Sequence, residues 1–159
     1  MRFHLVQPAD LDAIQHAREL FEAYQRELGL DLCFQGFTEE LAELPGKYRT
    51  PEGRLYLAYQ GNTPIACAAL RPLEPGVAEV KRMYVHPEWR GEGIARNLLL
   101  MLMKAAEVEG YETVRLDSLR RLEPAVKLYE SFGFREIAPY NENPESDVIY
   151  MAMRVNRDS

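Results

Sequence analysis

The segment Val80-Lys-Arg-Met-Tyr-Val-His-Pro-Glu-Trp-Arg-Gly-Glu-Gly-Ile-Ala-Arg96 joins a strand pattern to a helix pattern through a glycine-rich turn. The strand pattern ends at Val85, and the helix pattern opens between Gly91 and Gly93. The first N–H groups of a helix have no partner inside the helix, and the helix dipole adds partial positive charge there. We therefore predict an anion site suited to a pyrophosphate, where the two glycines allow close approach to the backbone.

Two other nucleotide-binding turns do not fit the sequence. A dinucleotide fold would need Gly-x-Gly-x-x-Gly after the first strand and an acidic residue roughly 20 residues later. A Walker loop would need Gly-Lys followed by Ser or Thr. Neither pattern is present. A helix start that binds no ligand stays as the alternative explanation of the two glycines.

The turn also carries a family resemblance. Arg90-Gly-Glu-Gly-Ile-Ala95 resembles the (Gln/Arg)-x-x-Gly-x-(Gly/Ala) signature of the GNAT N-acetyltransferases, and Ala125-Val-Lys-Leu-Tyr-Glu-Ser-Phe-Gly-Phe134 resembles a second element of that family at the expected distance. More narrowly, residues 31–37, 81–85 and 116–118 resemble an uncharacterised bacterial-type subgroup of GNAT proteins. The resemblance implies transfer of the acetyl group of acetyl-CoA to a primary amine of a small molecule or peptide, by direct attack in a ternary complex. Two alternatives stay open: a non-catalytic acyl-CoA-binding sensor or interaction module on the same fold, and a longer acyl donor.

The hydrophobic pattern along the chain agrees with that family's order of elements. It predicts strands at 3–6, 54–59, 65–70, 77–85, 113–117, 134–137 and 148–155. It predicts helices that begin near Asp10 and at Thr38, a longest helix over about 91–109, and a last one at 124–132. In the first helix the apolar stripe runs from Leu11 to Leu28. We expect an α/β GNAT acyl-CoA N-acyltransferase fold: a mixed, mostly antiparallel sheet of six to seven strands flanked by about four helices, in a single domain over 1–159.

The resemblance implies where acetyl-CoA would bind. The backbone at the end of the fourth strand would hold the pantetheine arm, and a backbone N–H near Tyr84 or Val85 would meet the oxyanion. The glycine turn would hold the pyrophosphate, with charge-assisted contacts from Arg90 and Arg96. The predicted cofactor-binding residues are Met83, Tyr84, Val85, Arg90, Gly91, Glu92, Gly93, Ile94, Ala95 and Arg96.

Two residues are candidates for proton transfer. Tyr129 occupies the position where many GNAT enzymes place a tyrosine near the CoA sulfur, and a phenol can protonate a leaving thiolate. Glu79 matches the glutamate that some members use as base, often through water, and strand alternation predicts it on the same side as Lys81, Met83 and Val85. The structural alternatives are a helix tyrosine that packs on the sheet and a surface glutamate paired with a lysine. A water chain in place of Glu79 also stays open.

The acceptor pocket is expected between the first two helices and the last strands. Its predicted substrate-binding residues are Gln35, Phe37, Asp117, Tyr140 and Tyr150. The acidic turn at 141–147 could attract a cationic amine, although such a charge run is usually solvated surface. Leu122 stands where many family members carry an Asn that helps hold CoA, so that contact must be lost or replaced.

Composition narrows the partners. The chain has 159 residues, 47% of them hydrophobic, and a formal net charge of −6, which argues against a nucleic-acid partner. Cys33 and Cys67 form no CxxC pair, so we expect no metal and two buried thiols of a cytoplasmic protein. We also expect no membrane partner, since no apolar run is long enough to span a bilayer. A homodimer is compatible with this fold.

Overall fold

The computed structural model describes residues 1–29 and 36–155. In these ranges the strands are β1 Arg2–Leu5, β2 Arg54–Gln60, β3 Thr63–Glu74, β4 Val77–Val85, β5 Thr113–Leu119, β6 Arg135–Ile137 and β7 Val148–Arg154. The α-helices there are α1 Leu11–Leu28, α2 Phe37–Glu43, α3 Ile94–Val108 and α4 Glu123–Phe132. Two short 3-10 helices, Gly46–Tyr48 and Pro87–Trp89, complete the described elements.

All seven described strands form one sheet in the order β1-β2-β3-β4-β5-β7-β6. The β4–β5 pair is parallel and the other neighbouring pairs are antiparallel. One face packs against α3 and α4, and the other against α1 and α2, so each face covers its own apolar core. The predicted fold class is thereby confirmed.

Helix α1 shows how the apolar stripe meets the sheet. Its buried residues are Ala13, Ile14, Ala17, Leu20 and Phe21. It ends at Gly29, whose φ of 68° is a left-handed conformation that glycine adopts without strain. Leu11, which was predicted to belong to the stripe, is 75% exposed because it is the first residue of the helix, before the stripe reaches the sheet. With 18 residues, α1 is also longer than α3, which has 15, so the prediction that α3 is the longest helix is wrong among the described helices.

A β-bulge in β4 changes which face its side chains occupy. Lys81 pairs with Ala69 and Tyr84 with Cys67, so two residues of β4 lie opposite the single residue Ala68. Arg82, inside this bulge, has a φ of 59°. Ahead of the bulge Glu79 points away from the α3 core, whereas beyond it Met83 and Val85 pack against that core. The predicted shared side for Glu79, Met83 and Val85 is therefore wrong, because the bulge shifts the alternation by one residue.

Strands β4 and β5 separate soon after they begin to pair. Their register covers only Val77 with Thr113, Ala78 with Val114 and Glu79 with Arg115. Beyond these pairs β5 continues along β7, and β4 continues along β3. The sheet consequently opens between residues 80–85 of β4 and the end of β5.

No α-helix among residues 1–29 and 36–155 has the length and apolar character needed to cross a bilayer.

Candidate functional site

The glycine turn lies directly before α3. Gly91 and Gly93 have φ values of 84° and 81°, and a Cβ added at either residue would meet nothing within 4 Å. The N–H of Asn97 is bonded to the carbonyl of Gly93 at 3.0 Å, so the N–H groups of residues 94–96 precede the first intrahelical bond and point out of the helix end. The turn therefore combines backbone donors, the positive end of the dipole and open space, as an anion site requires.

The two arginines of this turn differ in their contacts. Arg90 folds back: its Nε donates to the carbonyl oxygen of Val85 at 2.8 Å, and its Nη2 lies 2.6 Å from Glu27 Oε2 on α1. Arg96 lies along the outside of α4, where it contacts Ser131 Oγ at 3.3 Å and the ring of Phe132. In this arrangement Arg90 connects the turn to α1, and Arg96 is an exposed cation beside the helix start.

The open edge of β4 offers a backbone donor. The N–H of His86 is bonded to the carbonyl of Ile65 on β3 at 2.8 Å. Because N–H groups alternate between the two edges of a strand, the N–H of Val85 points away from β3, toward the gap beside β5. This donor lies on the strand end that leads into the glycine turn.

A cleft lies at the gap between β4 and β5. It is lined by residues 80–83 of β4, residues 117–119 of β5, Leu122, Ala125 and Tyr129 near α4, and Tyr24 and Leu28 of α1. Since α1 and α4 lie on opposite faces of the sheet, side chains from both faces line the cleft.

Tyr129 and Tyr24 bring phenol groups to this cleft from opposite sides. Burial raises the pKa of Tyr129 well above its ordinary range, and the charge of Asp117 acts in the same direction. Burial also raises the pKa of Tyr24 to about 12. Both phenols therefore keep their protons at neutral pH. The Tyr129 ring packs edge-on against Phe134, with ring centroids 5.8 Å apart. Tyr129 therefore packs in the core and also lines the cleft.

Leu122 lines the same cleft and is the residue immediately before α4. Its apolar side chain presents no hydrogen-bonding group, in contrast to the Asn that many family members carry there. Asn143, from the loop between β6 and β7, also lines the cleft. Its side-chain oxygen accepts a hydrogen bond from the N–H of Glu145 at 2.9 Å, which fixes the amide at the cleft.

Glu79 is fully buried, and both of its carboxylate oxygens accept hydrogen bonds. Arg71, its neighbour on β3, donates to Oε1 at 2.8 Å, and the hydroxyl of Tyr140 donates to Oε2 at 2.5 Å. A buried carboxylate needs such partners, so the triad Arg71–Glu79–Tyr140 explains how Glu79 is tolerated inside the sheet. Burial, together with the charge of Glu79, holds the pKa of Tyr140 far above its usual range.

Lys81 and Asp117 face each other across the gap. Their Nζ and Oδ2 atoms are 4.0 Å apart, and their side chains are 8% and 16% exposed. Burial lowers the pKa of Lys81, while the charges of Asp117 and Glu79 oppose that shift. Asp117 Oδ2 is buried and accepts no hydrogen bond from the described residues. A buried acceptor without a hydrogen bond costs about 1–3 kcal/mol of folding free energy. A hydrogen bond from a ligand to Asp117 Oδ2 would offset this cost.

Arg82 joins β4 to α2. Its Nε and Nη2 donate to the two carboxylate oxygens of Glu40 at 2.9 and 2.8 Å, and its guanidinium lies over the ring of Phe37. Phe37, predicted to bind substrate, is 3% exposed and belongs to the core beneath α1 and α2. It supports Arg82 instead of lining the cleft. Gln35, the other predicted residue of this region, lies outside the described residues.

Tyr150 lies beside Asp117, its partner across the β5–β7 register. The Tyr150 ring meets that of Tyr140 edge-on at 5.2 Å, and its hydroxyl donates to Asn141 Oδ1 at 2.7 Å. Asp117, Tyr140 and Tyr150 are thus brought together on the α1–α2 face, as expected for an acceptor pocket. Their roles in binding stay predictions.

The sequence did not single out several residues of the cleft, among them Tyr24, Lys81 and Asn143. Tyr24 looks like one more member of the α1 stripe, and Asn143 like one residue of a polar turn. Lys81 carried a usable signal: a lysine within an apolar strand needs a partner or a function. Its position opposite Asp117 depends on the separation of β4 from β5, which no local pattern encodes.

Comparison with known proteins agrees with the family resemblance seen in the sequence. The model of the acetyltransferase (GNAT) family matches residues 14–134. An uncharacterized N-acetyltransferase of Schizosaccharomyces pombe is 39% identical over 152 residues, which cover 94% of this chain and 91% of that protein.

Solved structures share the fold at lower identity. A GNAT acetyltransferase from Staphylococcus aureus Mu50 superposes with a TM-score of 0.79 at 16% identity, over 98% of this chain and all of that one. An aminoglycoside 6'-N-acetyltransferase in complex with coenzyme A gives 0.75 at 16% identity, over 100% and 99% of the two chains. At such identity the structures support the fold alone. The family model and the Schizosaccharomyces pombe relative, by contrast, match this chain in sequence. This chain therefore belongs to the acetyltransferase (GNAT) family.

Proposed function

We propose that the protein transfers the acetyl group of acetyl-CoA to a primary amine within a ternary complex. The observation that carries this proposal is the cleft between β4 and β5, which is lined by residues from both faces of the sheet and has Tyr129 on its wall. A transferase without a covalent intermediate needs both substrates in contact at one time. A cleft lined from both faces would let acetyl-CoA approach from one side of the sheet and the amine from the other.

The described residues fit acetyl-CoA. The pyrophosphate would lie at the N–H groups that follow Gly93, where the glycines leave open space. The pantetheine arm would run along the unpaired edge of β4 past residues 83–85, because β5 has already diverged there. When bound, acetyl-CoA supplies a thioester carbonyl activated toward amines. Longer acyl chains remain an alternative donor class for the same site.

Two groups would act on the thioester. The N–H of Val85, which points into the gap, would donate to the carbonyl oxygen as negative charge develops there. Tyr129 would give its proton to the departing sulfur, since its buried phenol stays protonated at neutral pH. Both residues belong to the apolar core beneath α3, and this packing would hold the two groups in place during the reaction.

The proton lost by the amine needs its own route. We propose that Glu79 receives this proton. The proton would pass through water or through the hydroxyl of Tyr140, which already donates to Glu79 Oε2. Direct contact between the amine and Glu79 is not expected, because the Glu79 side chain is fully buried and does not line the cleft. A water chain that bypasses Glu79 is the competing route.

A direct assay tests the proposal. Purified protein is incubated with acetyl-CoA and a panel of amines that contains amino acids, polyamines, aminoglycosides and peptides. Release of free thiol is measured together with the mass of the acetylated product. Amine-dependent thiol release with a matching product supports the transferase. Binding of acetyl-CoA without turnover of any amine would favour the acyl-CoA-binding sensor. The assay does not test the predicted homodimer or the predicted cytoplasmic location, which stay predictions.

A further inference from the structure

Tyr24 brings a second phenol to the cleft, from the face of the sheet opposite Tyr129. Tyr24 lies on α1 and packs against the core beneath α1 and α2, whereas Tyr129 lies on α4 and belongs to the core beneath α3. Both side chains line the cleft. The Tyr24 ring also meets that of Tyr84 edge-on, with ring centroids 6.5 Å apart. Tyr24 thus packs on the residue that precedes Val85, the proposed donor to the thioester carbonyl.

The hydroxyl of Tyr24 has no hydrogen-bond partner in the part of the chain that the structure describes. Other phenols on this face do have partners: Tyr140 donates to a carboxylate oxygen, and Tyr150 donates to an amide oxygen. A tyrosine hydroxyl that is withdrawn from solvent usually finds a partner. A molecule bound in the cleft could supply one for Tyr24.

Asp117 offers a second polar atom in the same cleft. Its Oδ2 is buried and accepts no hydrogen bond from the described residues, and the Nζ of Lys81 is 4.0 Å away, beyond hydrogen-bond range. Asp117 and Tyr24 both line the cleft, whose volume of about 60 Å³ is room for only a few water molecules. A small group that enters this space would therefore lie close to both residues.

These two groups match the attacking end of a primary amine. A neutral primary amine has two N–H bonds and one lone pair, and the hydroxyl oxygen of Tyr24 and the carboxylate oxygen of Asp117 can each accept one N–H bond. When both N–H bonds are donated, the lone pair is free to point toward a thioester that approaches from the α4 face. Such an orientation lowers the barrier because the reacting atoms are held in attack geometry.

We infer that Tyr24 and Asp117 together hold the attacking amine, with one N–H donated to the Tyr24 hydroxyl oxygen and the other to Asp117 Oδ2. The inference rests on the proposed acetyl transfer and names the residues that bind the nitrogen. In the reaction the nitrogen forms the new C–N bond, the C–S bond of the thioester breaks, the nitrogen loses one proton, and the sulfur gains one. The amide product keeps a single N–H, so it can bond only one of the two residues and leaves the site more readily.

The experiment compares a primary amine with its N-methyl derivative. The best acceptor from the amine panel and its N-methyl form are assayed with the full chain and acetyl-CoA. In the wild type kcat/KM should be roughly 30-fold lower for the N-methyl amine, because it can donate only one N–H. If the N-methyl amine binds without turnover, its inhibition constant takes the place of kcat/KM.

Two variants assign this difference to the two residues. Tyr24→Phe should lower kcat/KM about 10-fold for the primary amine and change it by less than about 2-fold for the N-methyl amine, whose single N–H goes to the charged Asp117. Asp117→Asn should lower kcat/KM for both amines, because each donates an N–H to this carboxylate.

The controls separate this role from packing and from the acid step. Tyr24→Phe keeps the ring, so the melting temperature and the KM for acetyl-CoA should match those of the wild type. Tyr129→Phe makes the same change on the opposite face of the sheet. It should lower kcat for both amines by the same factor, because the departing sulfur is common to the two reactions.

Each outcome decides one of the two proposals. An equal loss on both amines in Tyr24→Phe, or a loss on neither, would overturn the inference and leave acetyl transfer in place. Wild-type kinetics in Asp117→Asn would overturn it as well. Failure of the wild-type protein to acetylate any amine of the panel would instead refute the proposed function itself.

Discussion

The guanidinium of Arg82 and the carboxylate of Glu40 form a two-bond ion pair that fixes helix α2 to the bulge of strand β4. The bonds measure 2.9 and 2.8 Å, and the Arg82 side chain is 2% exposed. Arg82 also has a φ of 59°, a conformation that non-glycine residues rarely adopt. The pair therefore joins the strained strand beside the cleft to the helix that covers the acceptor face.

Glu40→Gln should lower the free energy of unfolding by about 3 kcal/mol, because it removes the carboxylate charge that pairs with the buried Arg82 guanidinium. Urea unfolding followed by circular dichroism measures the change. Glu39→Gln, one residue earlier on the same helix and exposed, should stay within about 0.5 kcal/mol of the wild type. Equal stability of the two variants would contradict the structural role given to Arg82.

Tyr129→Phe should lower kcat by about 100-fold, since the phenol that protonates the departing thiolate is removed. The ring is retained, so its packing on Phe134 and the melting temperature should change little. Steady-state kinetics with the best acceptor measures the effect. Tyr111→Phe is the matched control, because Tyr111 is also buried but donates to the carbonyl of Glu52 away from the cleft, and its kcat should be close to that of the wild type.

The pH profile follows from the direction of the Tyr129 shift. An acid acts in its protonated form, which is present below its pKa, and burial raises that pKa above the ordinary value of about 10. The rate should therefore rise with pH as the acceptor amine loses its proton, and ionisation of Tyr129 should cause no decline below about pH 10. A descending limb below that pH which disappears in Tyr129→Phe would refute the assignment.

Tyr140→Phe should cost about 1–3 kcal/mol of stability, because it removes a hydrogen bond to the fully buried carboxylate of Glu79. If the amine's proton reaches Glu79 through this hydroxyl, kcat/KM should fall as well. Tyr150→Phe is the neighbouring control, since its hydroxyl donates to an amide oxygen and not to a carboxylate. Wild-type kinetics in Tyr140→Phe would exclude the hydroxyl route and favour water.

The elements that local patterns specify were predicted closely. Strand β4 was predicted with its observed ends, and Gly29 ends α1 as expected, because turns, caps and apolar periodicity are written in adjacent residues. The reversal of side-chain direction beyond Arg82 was missed. A bulge depends on how β4 pairs with β3, and no single-strand pattern contains that register.

The same limit applies to the site. The positions of Tyr129 and of the glycine turn before α3 could be predicted because each lies in a contiguous motif. Their roles in catalysis and binding stay predictions. The triad of Arg71, Glu79 and Tyr140 brings together three separate segments, and the sequence indicated only that a mid-strand glutamate needs partners. Phe37 was assigned to substrate, although an aromatic residue at a helix start serves equally well to pack beneath Arg82.

The central claim is that acetyl-CoA binds at the helix start that follows Gly93. Calorimetric titration of acetyl-CoA into the wild type, Gly93→Trp and Gly110→Trp tests it most directly. The two glycines have φ values of 81° and 82°, and a Cβ at either would meet nothing within 4 Å, so both substitutions carry similar backbone strain. Gly93 stands at the N-terminus of α3 and Gly110 beyond its C-terminus. We predict that the wild type and Gly110→Trp bind acetyl-CoA and that Gly93→Trp does not; equal binding by all three proteins, or none by the wild type, would contradict the claim.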